Sequence, residues 1–109
     1  MALLRKHCHL LRTLSKSKPA LTRAIIEKGD KELIRAISEI ALNTLKGNVK
    51  LNNTQSRKLK RYRKHLHLLA NRRTSLLNKK KALQKGGIVP ALLAAVTPLI
   101  AGLIGTSLA

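Results

Sequence analysis

All four acidic residues of this chain, Glu27, Asp30, Glu32 and Glu39, fall inside one 13-residue window. From Lys46 to Lys85 there are 14 Lys or Arg and no acid, and from Ile88 to Ala109 there is no charge of either sign. A middle stretch that cannot neutralise itself folds only by turning its cations outward around a thin apolar stripe, or by meeting a polyanion. The formal net charge of +19 over 109 residues opposes compaction of the isolated chain. The charge pattern divides the sequence into three: a helical scaffold over 1–47, a basic nucleic-acid-binding segment over 48–85, and a Gly86-Gly87 pair with an apolar tail over 86–109.

Composition removes several function classes. Phe and Trp are absent and Tyr62 is the only aromatic residue, which excludes a ring-stacking platform for single-stranded bases. Four acids leave little material for paired-carboxylate catalysis or an oxygen-ligand metal cage. Cys8 stands alone, so no internal disulfide forms. His7, Cys8 and His9 are neighbours, and His65 and His67 form a second pair, but the spacing matches no zinc module and helical neighbours point about 100° apart. Cys8 has no third group to complete a nucleophilic site. The expectation is a non-enzymatic protein without metal or cofactor. Arg5, Lys6, His7 and His9 interrupt the first apolar run, so a secretory leader is not expected, and neither is a lipidation motif.

Periodicity predicts an all-α fold: a small helical front domain, a long basic helix and an apolar C-terminal helical tail. Residues 2–14 read as an amphipathic helix with Leu3, Leu4, Leu10, Leu11 and Leu14 on one face. Pro19 suits the first turn of a helix over 20–28 with Leu21, Ile25 and Ile26 inward and Gly29 at C′. Asp30 caps a helix over about 31–46, whose stripe is Leu33, Ile34, Ile37, Ile40, Ala41 and Leu45, with Gly47 as its stop. After a loop over 48–53, Thr54 is expected to cap a helix over 55–71. Its stripe is Leu59, Tyr62, Leu66 and Leu69, and Asn71 ends it. Thr74 or Ser75 caps a short helix with Leu76, Leu77 and Leu83 inward and Lys79, Lys80 and Lys81 outward.

A helix with one narrow apolar stripe docks by that stripe and offers the rest of its circumference to phosphate. Arg57, Lys58, Lys60, Arg61, Arg63, Lys64, Arg72, Arg73, Lys79, Lys80 and Lys81 are the expected phosphate contacts on double-stranded DNA. Each neutralised phosphate releases condensed counterion, and ten contacts give a log–log salt slope of roughly −9. Sequence readout needs placed side chains on a helix fitted to the major groove, and the available Asn and Gln fall at loops and caps, so backbone binding without base preference is expected. Duplex RNA read by shape is compatible with the same chemistry.

The 22 uncharged residues from Ile88 to Ala109 reach the length of a membrane span, with a positive flank before them. Pro98 in the middle, followed by Gly102 and Gly105, opposes a regular span. Three readings of the tail stand side by side: a membrane anchor, a helix docked on the front domain, and a removable segment that holds a capsid or membrane contact. The first makes the protein tail-anchored or membrane-active, with the basic segment on anionic lipid heads.

The run Gln84-Lys85-Gly86-Gly87-Ile88-Val89-Pro90-Ala91-Leu92-Leu93, with Pro98-Leu99-Ile100-Ala101-Gly102 after it, resembles the C-terminal region of the adenovirus core protein X (mu) precursor family and its counterparts in adintoviruses and polinton-type elements. That family sets a basic DNA-condensing segment before a Gly-Gly pair and an apolar tail. The resemblance implies a virus-encoded late protein that condenses duplex DNA in the virion core and in the host nucleus, with a membrane location as the alternative. It also implies a viral cysteine protease as partner, cutting between Gly87 and Ile88. Gln84 stands where the adenovirus sites carry an aliphatic residue, with Leu83 one step earlier. Residues 1–50 have no counterpart in the short adenovirus protein.

Overall fold

The computed structural model describes residues 2–84 and 88–97. Eight α-helices and no strand occur among them, so the chain is all-α over the described residues. Several of the helices are positioned by a cap or break that can be traced to particular residues.

The expected helix over 2–14 is two helices, α1 (Ala2–Lys6) and α2 (Cys8–Lys16), joined at His7. The buried stripe runs Leu4, Cys8, Leu11, Leu14, a spacing of four, three and three. Leu10, expected inside, is exposed, and Cys8 takes its place because a thiol behaves as a small hydrophobe at the position that faces the core. Leu3 lies outside the described side chains.

Pro19 opens α3 (Pro19–Lys28) at its first turn, as its fixed φ and missing N–H allow. Thr22 and Ile26, one turn apart, are its buried residues, and the Thr22 hydroxyl is satisfied by the Lys18 carbonyl at 3.1 Å. Leu21, expected inward, lies one residue off that row and is exposed, while Ile25 is half-buried. Gly29 ends the helix in an extended rather than a left-handed conformation. Its lack of a side chain serves close approach: a Cβ there would stand 2.9 Å from Leu33 Cδ2 and 3.1 Å from the Ile25 carbonyl oxygen.

In α4 (Lys31–Leu45) the Asp30 carboxylate accepts from the Leu33 N–H at 2.9 Å, the expected N-cap. Leu33, Ile34, Ile37, Ile40 and Ala41 are buried along it, and Leu45 is half-buried. Gly47, at φ +78°, closes the helix: its N–H bonds the Thr44 carbonyl and the Asn48 N–H bonds the Asn43 carbonyl, which together satisfy two orphan acceptors.

The expected basic helix over 55–71 is also two helices, α5 (Asn53–Lys60) and α6 (Arg63–Ala70), with a turn at Arg61-Tyr62. Its cap is Asn52, not Thr54. The Asn52 side chain accepts from the Gln55 N–H at 2.8 Å while the Gln55 side chain accepts from the Asn52 N–H at 3.1 Å, satisfying two donors at once. Leu59, Leu66 and Leu69 are buried and Tyr62 is half-buried, so the stripe is as expected. The turn redirects it: α5 packs on α8 and α6 packs on α4, two partners that one straight helix would not face together.

Ser75 caps α7 (Leu76–Leu83), its hydroxyl accepting from the Asn78 N–H at 3.2 Å. This helix is rotated from expectation. Ala82 and Leu83 are buried, Leu76 and Leu77 are exposed, and of the three lysines expected outward Lys79 and Lys80 are half-buried. Lys80 reaches the C-terminal end of α3, donating to the Glu27 carbonyl at 3.1 Å, where the last helical carbonyls lack intrahelical partners.

The apolar α8 (Ile88–Ala95) packs on α2 and α5, and Ile88, Val89, Leu92, Leu93, Ala95 and Val96 are buried. A single hydrophobic cluster runs from Leu4 to Val96 and takes side chains from all three charge-defined stretches. No helix among the described residues is long and apolar enough to cross a membrane. Gly86, Gly87 and residues 98–109, including Pro98, Gly102 and Gly105, lie outside the described residues.

Candidate nucleic-acid interface

Because Leu59, Leu66 and Leu69 turn inward, the Lys and Arg side chains of α5 and α6 turn to solvent. They are Arg57, Lys58 and Lys60 on α5 and Arg63 and Lys64 on α6, with Arg61 in the turn between, all exposed. Arg72 and Arg73 follow in the exposed turn after α6, where Asn71 Oδ1 accepts from the Arg73 N–H at 2.9 Å. The turn at Arg61-Tyr62 therefore bends the cationic surface without interrupting it.

Nine of the eleven expected phosphate contacts are exposed. Lys80 is committed to the α3 carbonyl end. Lys79 is half-buried, and burial, with repulsion from Arg35 on α4 as the smaller cause, lowers its pKa from the ordinary lysine value. Lys80 thus braces α7 against α3, Lys79 is drawn inward, and Lys81 alone of the three is exposed. The acids sit elsewhere. Glu32 is held by Lys6, and His7 Nε2 lies 3.6 Å from the same carboxylate oxygen. The hydrogen bond and charge of Lys6 lower the Glu32 pKa, and the Lys6 pKa is raised in return.

A cleft of about 490 Å³ opens beside the cationic surface, with Lys58, Arg61 and Tyr62 on one wall and Pro90, Ala91 and Ala94 of α8 on the other. Ser15, Asn52, Thr54 and Gln55 complete its lining. Among the described residues no three His, Cys, Asp or Glu side chains are grouped to hold a metal ion. Cys8 is buried in the core while His9 is exposed, so these neighbours point apart. Of the expected cleavage pair, Gly87 lies outside the described residues and Ile88 is a fully buried residue that begins α8.

Two features escaped the sequence reading. The Asn52-x-x-Gln55 box was signalled by its spacing, two residues before the hydroxyl taken as the cap. The Lys79–Arg35 approach had no local signal, since the two residues lie 44 positions apart in sequence on different helices. No family model matches the chain, and no curated protein or solved structure matches it.

Proposed function

We propose that this protein is a non-enzymatic, virus-encoded core protein that binds double-stranded DNA by neutralising its phosphates and condenses it. The observation that carries the reading is the exposed run Arg57, Lys58, Lys60, Arg61, Arg63 and Lys64, on helices whose apolar stripe is spent on the core and whose surroundings from 46 to 84 contain no acid. Spaced cations with a single half-buried ring, Tyr62, among them and their amides used at caps read charge, not bases. The chemistry is phosphate neutralisation: cations replace condensed counterions, strand–strand repulsion falls and the duplex compacts. The Gly86-Gly87 junction and the residues after it support the viral part of the reading, with a viral cysteine protease as partner at Gly87-Ile88 and the virion core and host nucleus as its locations.

The test is a salt titration of full-length protein on two duplexes of unrelated sequence. Six phosphate contacts predict a log–log slope of about −5, equal on both duplexes. A slope near zero, or tight salt-resistant attachment to anionic vesicles in place of DNA, overturns the reading and favours the membrane-active one.

A further inference from the structure

The cleft between α5 and α8 is bordered by a third helix. α8 packs on both α5 and α2, and Ser15 of α2 lines the cleft together with Lys58, Arg61 and Ala94. At 3.6 residues per turn, Arg12 is rotated from Ser15 by about 60° and Lys16 by about 100° in the same sense, while Leu10 is rotated about 140° in the opposite sense. Leu10 lines the separate groove that α2 makes with α3. Arg12 and Lys16 therefore stand on the other flank of α2, the one that borders the cleft, and both are exposed. Cations thus approach the cleft from two helices, one of them outside the basic stretch of the sequence.

The site offers cations and hydrogen-bond donors and no acidic side chain. No lining residue is acidic, and α2, α5 and α8 contain no Asp or Glu. Glu27, Glu32 and Glu39 lie on α3 and α4, with Asp30 between those two helices. Arg12, Lys16, Lys58 and Arg61 are paired with no acid among the described residues. The side-chain oxygens of Asn52 and Gln55 are occupied at the α5 cap, so what their amides offer the cleft is N–H donors. Pro90, Ala91 and Ala94 give α8 a low, apolar surface there. A sugar–phosphate strand has the matching chemistry: anionic oxygens for the cations and amides, and sugar carbons for the aliphatic wall.

We propose that one backbone strand of the duplex lies in this cleft, its phosphates held by Lys58 and Arg61 on one side and by Arg12 and Lys16 on the other. The inference rests on the proposed binding of duplex DNA and extends it. The contact surface is not confined to residues 48–85, because α2, from the front of the chain, supplies half of this grip. With Arg12 and Lys16 the phosphate contacts rise from six to eight, and the log–log salt slope steepens from about −5 to about −7.

Salt titrations of duplex binding are run on full-length protein, with melting temperatures recorded on the same samples. Arg12→Gln and Lys16→Gln each flatten the slope by about 0.9, and together by about 1.8, without lowering the melting temperature. Arg23→Gln and Lys31→Gln, also exposed but on the acid-bearing α3 and α4, leave the slope unchanged. Ala94→Leu, at an exposed position of α8, fills the cleft without removing a cation and flattens the slope as the Arg12→Gln/Lys16→Gln pair does. A wild-type slope near zero overturns the DNA-binding reading and this proposal with it. A slope that falls with Lys58→Gln but not with the Arg12→Gln/Lys16→Gln pair overturns the proposal alone. So does an equal fall with Arg23→Gln and Lys31→Gln, which marks net charge acting without a seat, or an Ala94→Leu chain that binds like wild type.

Discussion

Two glycines in this molecule serve different needs, and substitution separates them. At Gly29 the backbone is ordinary, but a Cβ would stand 2.9 Å from Leu33 Cδ2 and 3.1 and 3.2 Å from the Ile25 and Ile26 carbonyl oxygens, and the backbone oxygens cannot turn aside as a side-chain end can. Gly29→Ala is expected to cost about 1–2 kcal/mol of overpacking, less the few tenths returned by a stiffer unfolded chain. At Gly47 nothing lies within 4 Å of a Cβ, but φ is +78°. Gly47→Ala therefore costs about 1–2 kcal/mol of backbone strain, and Gly47→Asn less, since Asn tolerates this region. Urea unfolding of the three variants distinguishes the cases. The Lys6–Glu32 pair is exposed and so adds little at any pH. The sign is nonetheless defined. The folded Glu32 pKa lies below its ordinary value, so its contribution is present above the ordinary carboxylate range and is lost as pH falls through the folded pKa. Lys6, with its pKa raised, contributes below the ordinary lysine range and loses that contribution as pH rises through its folded pKa. Glu32→Gln should flatten the acid arm of the stability–pH curve slightly, measured by melting temperature from neutral to acid pH.

The helices divide the cations into two kinds with different expected behaviour. Lys58→Gln on α5 and Arg63→Gln on α6 should each flatten the DNA salt slope by about 0.9, with little change in folding. Lys80→Gln should leave the slope unchanged and lower the melting temperature, because its ammonium is bonded to the end of α3. Slope and melting temperature measured on the same samples decide whether the division holds. The same elements show how far the fold was legible. The α4 boundaries were readable because Asp30 and Gly47 are strong local signals on either side of a regular stripe. The turns at His7 and Arg61-Tyr62 were not, because apolar spacing and charge density are the same on both sides of each and the breaks answer to tertiary partners. Leu10, Leu21, Leu76 and Leu77 were misplaced for a related reason: hydropathy ranks a leucine as core wherever it falls, whereas burial follows the row that faces a neighbour. That row admitted Cys8, Thr22 and Ala82 instead. The exposure of the candidate contacts was legible residue by residue on α5–α6, where dense charge leaves no inward option, and illegible on α7, where rotation of one short helix moved two lysines inward.

At the scale of the whole molecule, charge and core set conflicting demands that a bound duplex would reconcile. The longest axis is 37 Å, a length over which B-DNA presents about 22 negative charges. The +19 of the chain is of the same size, so copies laid along a duplex would bring it close to neutrality, the condition under which strands approach one another. The isolated chain carries the full self-repulsion and must hold together by its core. That core depends on the apolar stretch after Gly87. Ile88, Val89, Leu92, Leu93 and Val96 are buried against α2 and α5. Each buried aliphatic side chain contributes about 1.5–3 kcal/mol, and the five together rival the total stability of an ordinary domain, about 5–15 kcal/mol. Residues 1–87 alone are therefore expected to lose the cooperative thermal transition of the full chain, seen by circular dichroism and calorimetry. A truncated chain that melted cooperatively near the full-length temperature would mean that α8 is dispensable to the core. A cut at Gly87-Ile88 in the folded protein must likewise wait for α8 to leave it, since Ile88 is fully buried at the start of a helix and a protease groove takes extended chain. Susceptibility at that bond should then rise with temperature in step with the opening of α8. Added duplex, by relieving the repulsion that favours opening, should slow the cut in the full-length chain.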